Sequence, residues 1–234
     1  MITPIPSWLH LLAILVLTVW ALCGVIILAD NLSGHRQHMA IMNIVWPVTA
    51  LWAGPVALWL YFKQGRRMTH HAMHAARQQE KHPGAPKRPF PLTVAIGTTH
   101  CGAGCTLGDL ISEMVMYFAP VTILNQRIFG TWAVDFAAAF ILGIVFQYFS
   151  IVPMKHLPPG KGLAAALKAD ALSLAAWQIG MYLWMALVIF LWFGEISKTN
   201  PVFWFMMQIA MVCGFLTSYP ANWWLLKRGI KERM

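Results

Sequence analysis

Apolar runs of bilayer length recur from one end of this chain to the other, over residues 8–28, 39–62, 92–124, 132–152, 163–193 and 201–226. A helix needs about 20 predominantly apolar residues to cross the hydrocarbon of a membrane, and the runs meet that length six times. Inside lipid the backbone must satisfy its own hydrogen bonds, which segments of this length do as helices. Of the 234 residues, 59% are apolar and only 11% are charged. The expected fold class is therefore all-α: a polytopic membrane protein with six transmembrane helices, and the lipid bilayer as its first partner.

The net charge of +9 invites a nucleic-acid reading, which the placement of the charges excludes. The basic residues collect in connecting segments, and none of these shows the aromatic interleaving of a nucleic-acid groove. Seven lie in 63–91, three in 155–168 and four in 227–233, against Arg36, Arg127 and Lys198 on the alternate side. Under the positive-inside rule this 14-to-3 asymmetry predicts both termini in the cytoplasm, N-in and C-in, across a bacterial inner (plasma) membrane. The first ten residues carry no Lys or Arg, so the first run reads as a retained helix and not as a cleaved signal. Pro47, Gly54 and Pro55 predict a kink in the second. Residues 63–91 are the one long hydrophilic segment, ending in proline punctuation from His82 to Pro91. They divide the chain into two leading helices (1–62), a basic, histidine-bearing cytoplasmic loop (63–91) and a four-helix membrane unit (92–234). His70, His71, His74 and His82 of the loop read equally as metal-capturing or as solvated interfacial side chains.

The third run carries the chemistry. Cys101, Cys105, Asp109 and Glu113 recur every four residues, and i, i+4 positions are neighbours on one helix face. They form a ladder about 18 Å long, with His100 at its edge. Ionisable groups at membrane depth are costly and mark a functional site or path. The ladder is expected to point into the bundle. Gly104 is expected to leave open space above the His100 imidazole, and Gly102, Gly104 and Gly108 to let the helix loosen around a ligand. The plainer reading of Gly104, Gly108 and Ser112 is a stripe of small residues that lets helices approach closely. Cys101 and Cys105 are not expected to pair, because side chains four apart on a helix diverge.

The string from His100 through Cys101, Gly102, Ala103, Gly104 and Cys105, continued by Gly108 and Asp109, resembles an uncharacterised prokaryotic membrane family, domain of unknown function 4396. The resemblance covers about residues 92–230. It implies a four-helix membrane unit with this motif at its centre, and it supplies no activity.

Thiolate and imidazole are ligands for soft or borderline ions. The sequence therefore points first to binding or translocation of a transition metal, Cu(I) ahead of Zn(II), by His100, Cys101, Cys105, Asp109 and Glu113. Two other classes stay open. One is a membrane oxidoreductase or its subunit, using the thiols or a metal on them. The other is a proton or cation relay through Asp109 and Glu113, which Asp135 and Asp170 on other helices would join. Asp170 is alternatively expected to snorkel or to pair with a basic residue near the cytoplasmic face. Met181, Met185, Met206, Met207 and Met211 suit Cu(I) as thioethers, but read first as core packing. Cys23 and Cys213 read as packing residues too. No phosphate-cradling glycine loop is present, so any transport would draw on a gradient or a partner. The sequence leaves enzyme status, a protein partner and homo-oligomerisation open.

Overall fold

The computed structural model describes residues 3–73 and 88–232, and every regular element among them is helical. In chain order these are α1 (Ser7–Leu32), α2 (Met42–Leu60), α3 (Phe90–Phe118), α4 (Arg127–Lys155), α5 (Pro159–Ala186) and α6 (Pro201–Lys227). A π-helical turn, Leu187–Phe193, prolongs α5. Proline stands in the first turn of α3, α5 and α6, where its missing N–H costs nothing and its fixed φ suits the helix. Asn200 caps α6 by accepting from the Val202 N–H at 2.9 Å.

Five segments are long and apolar enough to cross a membrane: Ser7–Leu32, Met42–Met68, Arg127–Pro153, Pro159–Phe193 and Pro201–Lys227. The third apolar run of the sequence is not among them, and its surroundings explain why. α3 is the central helix. Between Thr93 and Asp109 only Ala95 and Leu107 are not buried. A helix wrapped by other helices meets little lipid, so glycine, threonine and ionisable groups can replace leucine along it. α1 is the opposite case: Leu11, Leu15 and Val25 are 60% or more exposed, as a lipid-facing helix requires.

The second run doubles back on itself. Trp46 and Tyr61 would be about 22 Å apart on a straight helix, yet their rings pack edge to face with centroids 5.8 Å apart. Gly65 lies against both side chains. The reversal is at Gly54, which takes φ 49° and ψ −126°, a conformation closed to most L residues. Pro55 follows and supplies no N–H, so the Leu51 carbonyl loses its helical partner. Gln208 donates to that carbonyl at 2.6 Å, and the Trp20 indole donates to the Trp52 carbonyl at 3.0 Å. The segment is thus a re-entrant hairpin that turns at Gly54, beside Trp20 in the middle of α1. Its returning limb, through the π turn Tyr61–Gly65 and the 3-10 turn Arg66–Met68, ends beside the segment it left. Tyr61 bonds Asp30 and Asn31, Arg66 pairs with Asp30 at 3.1 Å, and Gln37 bridges Thr69.

This corrects two expectations. The run at 39–62 turns back on itself, so the kink read from Pro47, Gly54 and Pro55 is a full reversal. The termini lie at opposite ends of the bundle, not at the same one. Thr3 donates twice to the Trp192 carbonyl at the end of α5, whereas α6 finishes at the other end, where Tyr219 bonds the Pro91 carbonyl and Trp223 packs on Phe90. Arg36, expected apart from the other basic residues, sits among them: its carbonyl accepts from the His70 N–H at 3.0 Å. Arg127 and Lys198 alone, of the described Lys and Arg residues, lie at the end that holds Thr3.

α3 to α6 run antiparallel to their neighbours. The small residues of α3 meet α4 in register, Gly104 on Gly143, Gly108 on Ala139 and Ser112 on Asp135. A Cβ on Gly108 would stand 2.4 Å from the Ala139 Cα, and one on Gly104 2.6 Å from the Gly143 Cα. The glycines are therefore used for close approach, as the small-residue reading expected. The loosened backbone is not found: α3 is one continuous helix, and α4 fills the space expected above the imidazole.

A buried polar line along the central helix

The ladder points inward. Cys101, Cys105 and Asp109 have no exposed surface, and Glu113 is 5% exposed. All four cysteines are free thiols, as the helical spacing of Cys101 and Cys105 required. The ladder's neighbours come from α4, α5 and the chain on either side of α6. At one end, Lys231 reaches Asp170 Oδ1 at 2.6 Å. The Ser173 hydroxyl stands between Asp170 Oδ1, at 2.6 Å, and Cys101 Sγ, at 3.4 Å. Cys101 and Cys105 lie one helical turn apart on the same inward face of α3. One turn further, Asp109 Oδ1 accepts from the Gln178 amide at 3.3 Å, and its Oδ2 has no hydrogen-bond partner among the described residues. The Ser112 hydroxyl donates to Asp135, and Lys198 pairs with Glu113 at the far end. Successive members are bonded or one helical turn apart, from a buried lysine at one end to a half-buried lysine at the other.

Two cavities reach this line. One, of about 380 Å³, opens at the far end and is lined by Glu113, Asp135, Lys198, Tyr182 and Met207 among others. The second, of about 290 Å³, lies where the re-entrant hairpin meets α1 and α6, and Asp109 and Thr106 face it together with Met207 and Met211. Three carboxylates of the line thus border a cavity, Glu113 and Asp135 the first and Asp109 the second. Neither Asp109 nor Asp135 forms an ion pair among the described residues.

His100 is brought to a different face. Its Nε2 is hydrogen-bonded to the Ser150 hydroxyl of α4 at 3.0 Å, and Phe146 packs on the ring. Among the described residues no three His, Cys, Asp or Glu side chains converge as a metal-ligand set. The thiol pair is what remains together of the expected five. The five methionines are buried in the core as expected, and Thr106 donates to Met211 Sδ at 3.6 Å. In the basic segment, His70 packs edge to face on His38; His74 and His82 lie outside the described residues.

The sequence named Asp135 and Asp170 as relay candidates and anticipated a basic partner for Asp170. It read Ser112 only as part of the small-residue stripe and did not single out Ser173, Asn222 or Lys231. Hydroxyls and amides on apolar helices are common and carry no spacing signal, and Lys231 was counted only as one of the four basic residues in 227–233.

Residues 92–231 match the model of a family described only as a domain of unknown function, DUF4396. The chain belongs to this family. No curated protein and no solved structure matches it. The DUF4396 stretch takes in α3 to α6, the whole polar line and Lys231; α1 and the re-entrant hairpin precede it.

Proposed function

We propose that this chain relays protons, or a small cation, across the membrane along the line from Glu113 and Asp135 through Asp109 to Cys105, Cys101 and Asp170. The observation that carries the reading is the burial of Asp109 at the junction of cavity and line, with one carboxylate oxygen unpartnered. A carboxyl group at that depth costs at least about 2.5 kcal/mol on insertion scales, a cost that carriers of protons and ions retain for function. Ser173 bridging a carboxylate and a thiol supports the same reading, since a hydroxyl accepts on one side and donates on the other. The membrane is a bacterial plasma membrane with the Lys- and Arg-rich end in the cytoplasm. α1 and α3 to α6 cross it, the hairpin enters from the cytoplasmic face, the N-terminus is outside and the C-terminal tail inside.

The thiol pair supports a second reading, in which the cargo is Cu(I). Two adjacent buried sulfurs form a soft two-donor site, and Met207 and Met211 line the neighbouring cavity. His100 belongs to this reading only through a rearrangement of α3 against α4; Zn(II), which takes four ligands, fits less well.

Reconstituted vesicles separate the readings. Under the relay, Asp109→Asn takes proton flux to background, Glu113→Gln lowers it, and Cys101→Ser and Cys105→Ser keep most of it. Under the copper reading each Ser variant loses Cu(I) in competition with a chelator, and Asp109→Asn still binds it. Proton flux at the parental rate in Asp109→Asn ends the first reading. Thiols trapped as a disulfide in cells would favour the oxidoreductase class instead.

A further inference from the structure

At the basic end the tail folds back into the bundle. After Lys227, Gly229 takes φ 66°, and the Ile230 and Lys231 N–H groups return to the Leu225 carbonyl at 3.0 and 3.3 Å. This turn drives the Lys231 side chain inward until it is fully buried. Its ammonium meets three oxygens: Asp170 Oδ1 at 2.6 Å, Asn222 Oδ1 at 2.7 Å and the Gly97 carbonyl at 3.4 Å. The cage is built, since its oxygens are aimed by other bonds. The Asn222 amide nitrogen is used on the Ser218 carbonyl and hydroxyl, both at 3.0 Å, which turns Oδ1 to the ammonium. The Ser173 hydroxyl steadies Asp170 Oδ1, and Oδ2 has no hydrogen-bond partner among the described residues.

Carboxylate, amide and main-chain oxygens are a hard-cation ligand set. One carboxylate supplies one negative charge, the complement of a monovalent ion. A lysine ammonium is itself a compact monovalent cation on a flexible stem. What holds it from outside is slight: the Gly229 turn and the Glu232–Lys155 pair, 2.6 Å long with both side chains at least 34% exposed, of a kind that contributes little.

We propose that Asp170, Asn222 and the Gly97 carbonyl form a site for a desolvated alkali-metal cation, and that Lys231 occupies it as a tethered stand-in. The cation site stands on its own oxygens; that its occupant closes the cytoplasmic end of the line rests on the relay reading. Emptying the cage leaves a buried carboxylate without a counter-ion, the state that most needs a replacement cation.

The test uses the full chain in detergent, with Lys231→Met and the double variant Lys231→Met/Asp170→Asn. Thermal unfolding is followed in choline chloride while NaCl or KCl replaces it at constant ionic strength. A ligand that binds only the folded state raises Tm as its concentration passes Kd. Lys231→Met is expected to melt lower than the parent in choline and to regain about 5 °C, saturably, in Na⁺ or K⁺; which ion rescues at lower concentration identifies the occupant. The parent, its site filled, and the double variant, its carboxylate gone, are expected to be indifferent to the exchange. Lys231→Met that gains nothing over choline, or a double variant rescued equally, overturns the proposal. If Lys231→Met is recovered in no salt, Glu232→Gln, which loosens the tail and leaves the cage intact, takes its place: saturable stabilisation by one alkali ion supports the site, and indifference overturns it. None of these outcomes depends on proton flux, so failure here and failure of the relay are told apart.

Discussion

The re-entrant hairpin and the central helix invert each other's sequence signals. Met42–Met68 is apolar enough to cross a membrane and turns back at Gly54; α3 falls short of that measure and runs the length of the bundle. Apolar content reports the surroundings of a segment, and lipid is only one apolar surrounding. Between Thr93 and Asp109 α3 is packed against α2, α4, α5 and α6, so small and polar residues replace leucine where backbones meet. The hairpin keeps its apolar residues because part of its surface, Val56 and Trp59 included, is left uncovered by the bundle. Its broken backbone is tolerated because Gln208 and Trp20 take the freed carbonyls and no lipid has to face them.

The comparison is sharpest at two glycines. Added methyls at Gly108 and Gly54 both collide, but with different neighbours: the α4 backbone at Ala139 in one case, the Trp20 indole in the other. A side chain can move aside and a packed helix backbone cannot, but Gly54 also holds a φ/ψ pair closed to alanine, so both variants are expected to lower thermal stability, Gly108→Ala through the clash and Gly54→Ala mainly through backbone strain. Gly108→Val, with two further carbons against α4, is expected to abolish folded protein. Overpacking ordinarily costs about 1–3 kcal/mol, and a clash against backbone belongs at or beyond the top of that range. Thermal unfolding and recovery by size-exclusion chromatography check both; Gly108→Ala as stable as the parent would mean the α3–α4 contact is looser than these distances.

The reversal also makes an all-or-none prediction about sidedness. In a chain stripped of its native cysteines, single cysteines at Arg36 and Arg228 are expected to label from the same side of the membrane, and one at Pro4 from the opposite side. Six crossings would instead put Pro4 with Arg228 and leave Arg36 alone.

The sequence revealed the site better than the path. Four-residue spacing was enough to put Cys101, Cys105, Asp109 and Glu113 on one inward face, because helix geometry is local. The same logic read Gly104, Gly108 and Ser112 as a contact stripe. His100 faces α4, at Ser150 and Phe146, because it lies about 100° round the helix from Cys101, and which helix fills that sector is a long-range fact. Gly54-Pro55 was legible as a break but not as a reversal. Whether two half-helices continue or fold back depends on partners far along the chain, here Trp20 and Gln208. Basic residues were counted rightly and divided wrongly: moving the hairpin's far end to the basic face takes Arg36 with it and leaves Arg127 and Lys198 at the other.

The smallest expected effect concerns a single bond at the hairpin's turn. Pro55 has no N–H to offer the Leu51 carbonyl, and the Gln208 amide supplies the missing donor from α6 at 2.6 Å. Gln208→Leu keeps the approximate volume and removes the donor, leaving a carbonyl in apolar surroundings at a cost of about 1–3 kcal/mol. Gln208→Glu retains hydrogen-bonding ability only when protonated and is expected to be worse near neutral pH, since a carboxylate would face a carbonyl oxygen. Pro55→Ala offers a second route to the same carbonyl. If the limbs stay reversed, the new N–H points along the broken axis and cannot reach Leu51, so Pro55→Ala should not rescue Gln208→Leu. If the segment instead straightens into an ordinary span, the alanine N–H restores the helical bond and the double variant melts higher than Gln208→Leu alone. Thermal unfolding of the two single variants and the double variant decides between these outcomes, and rescue would show that the reversal at Gly54 is held by Pro55 and not by the packing around it.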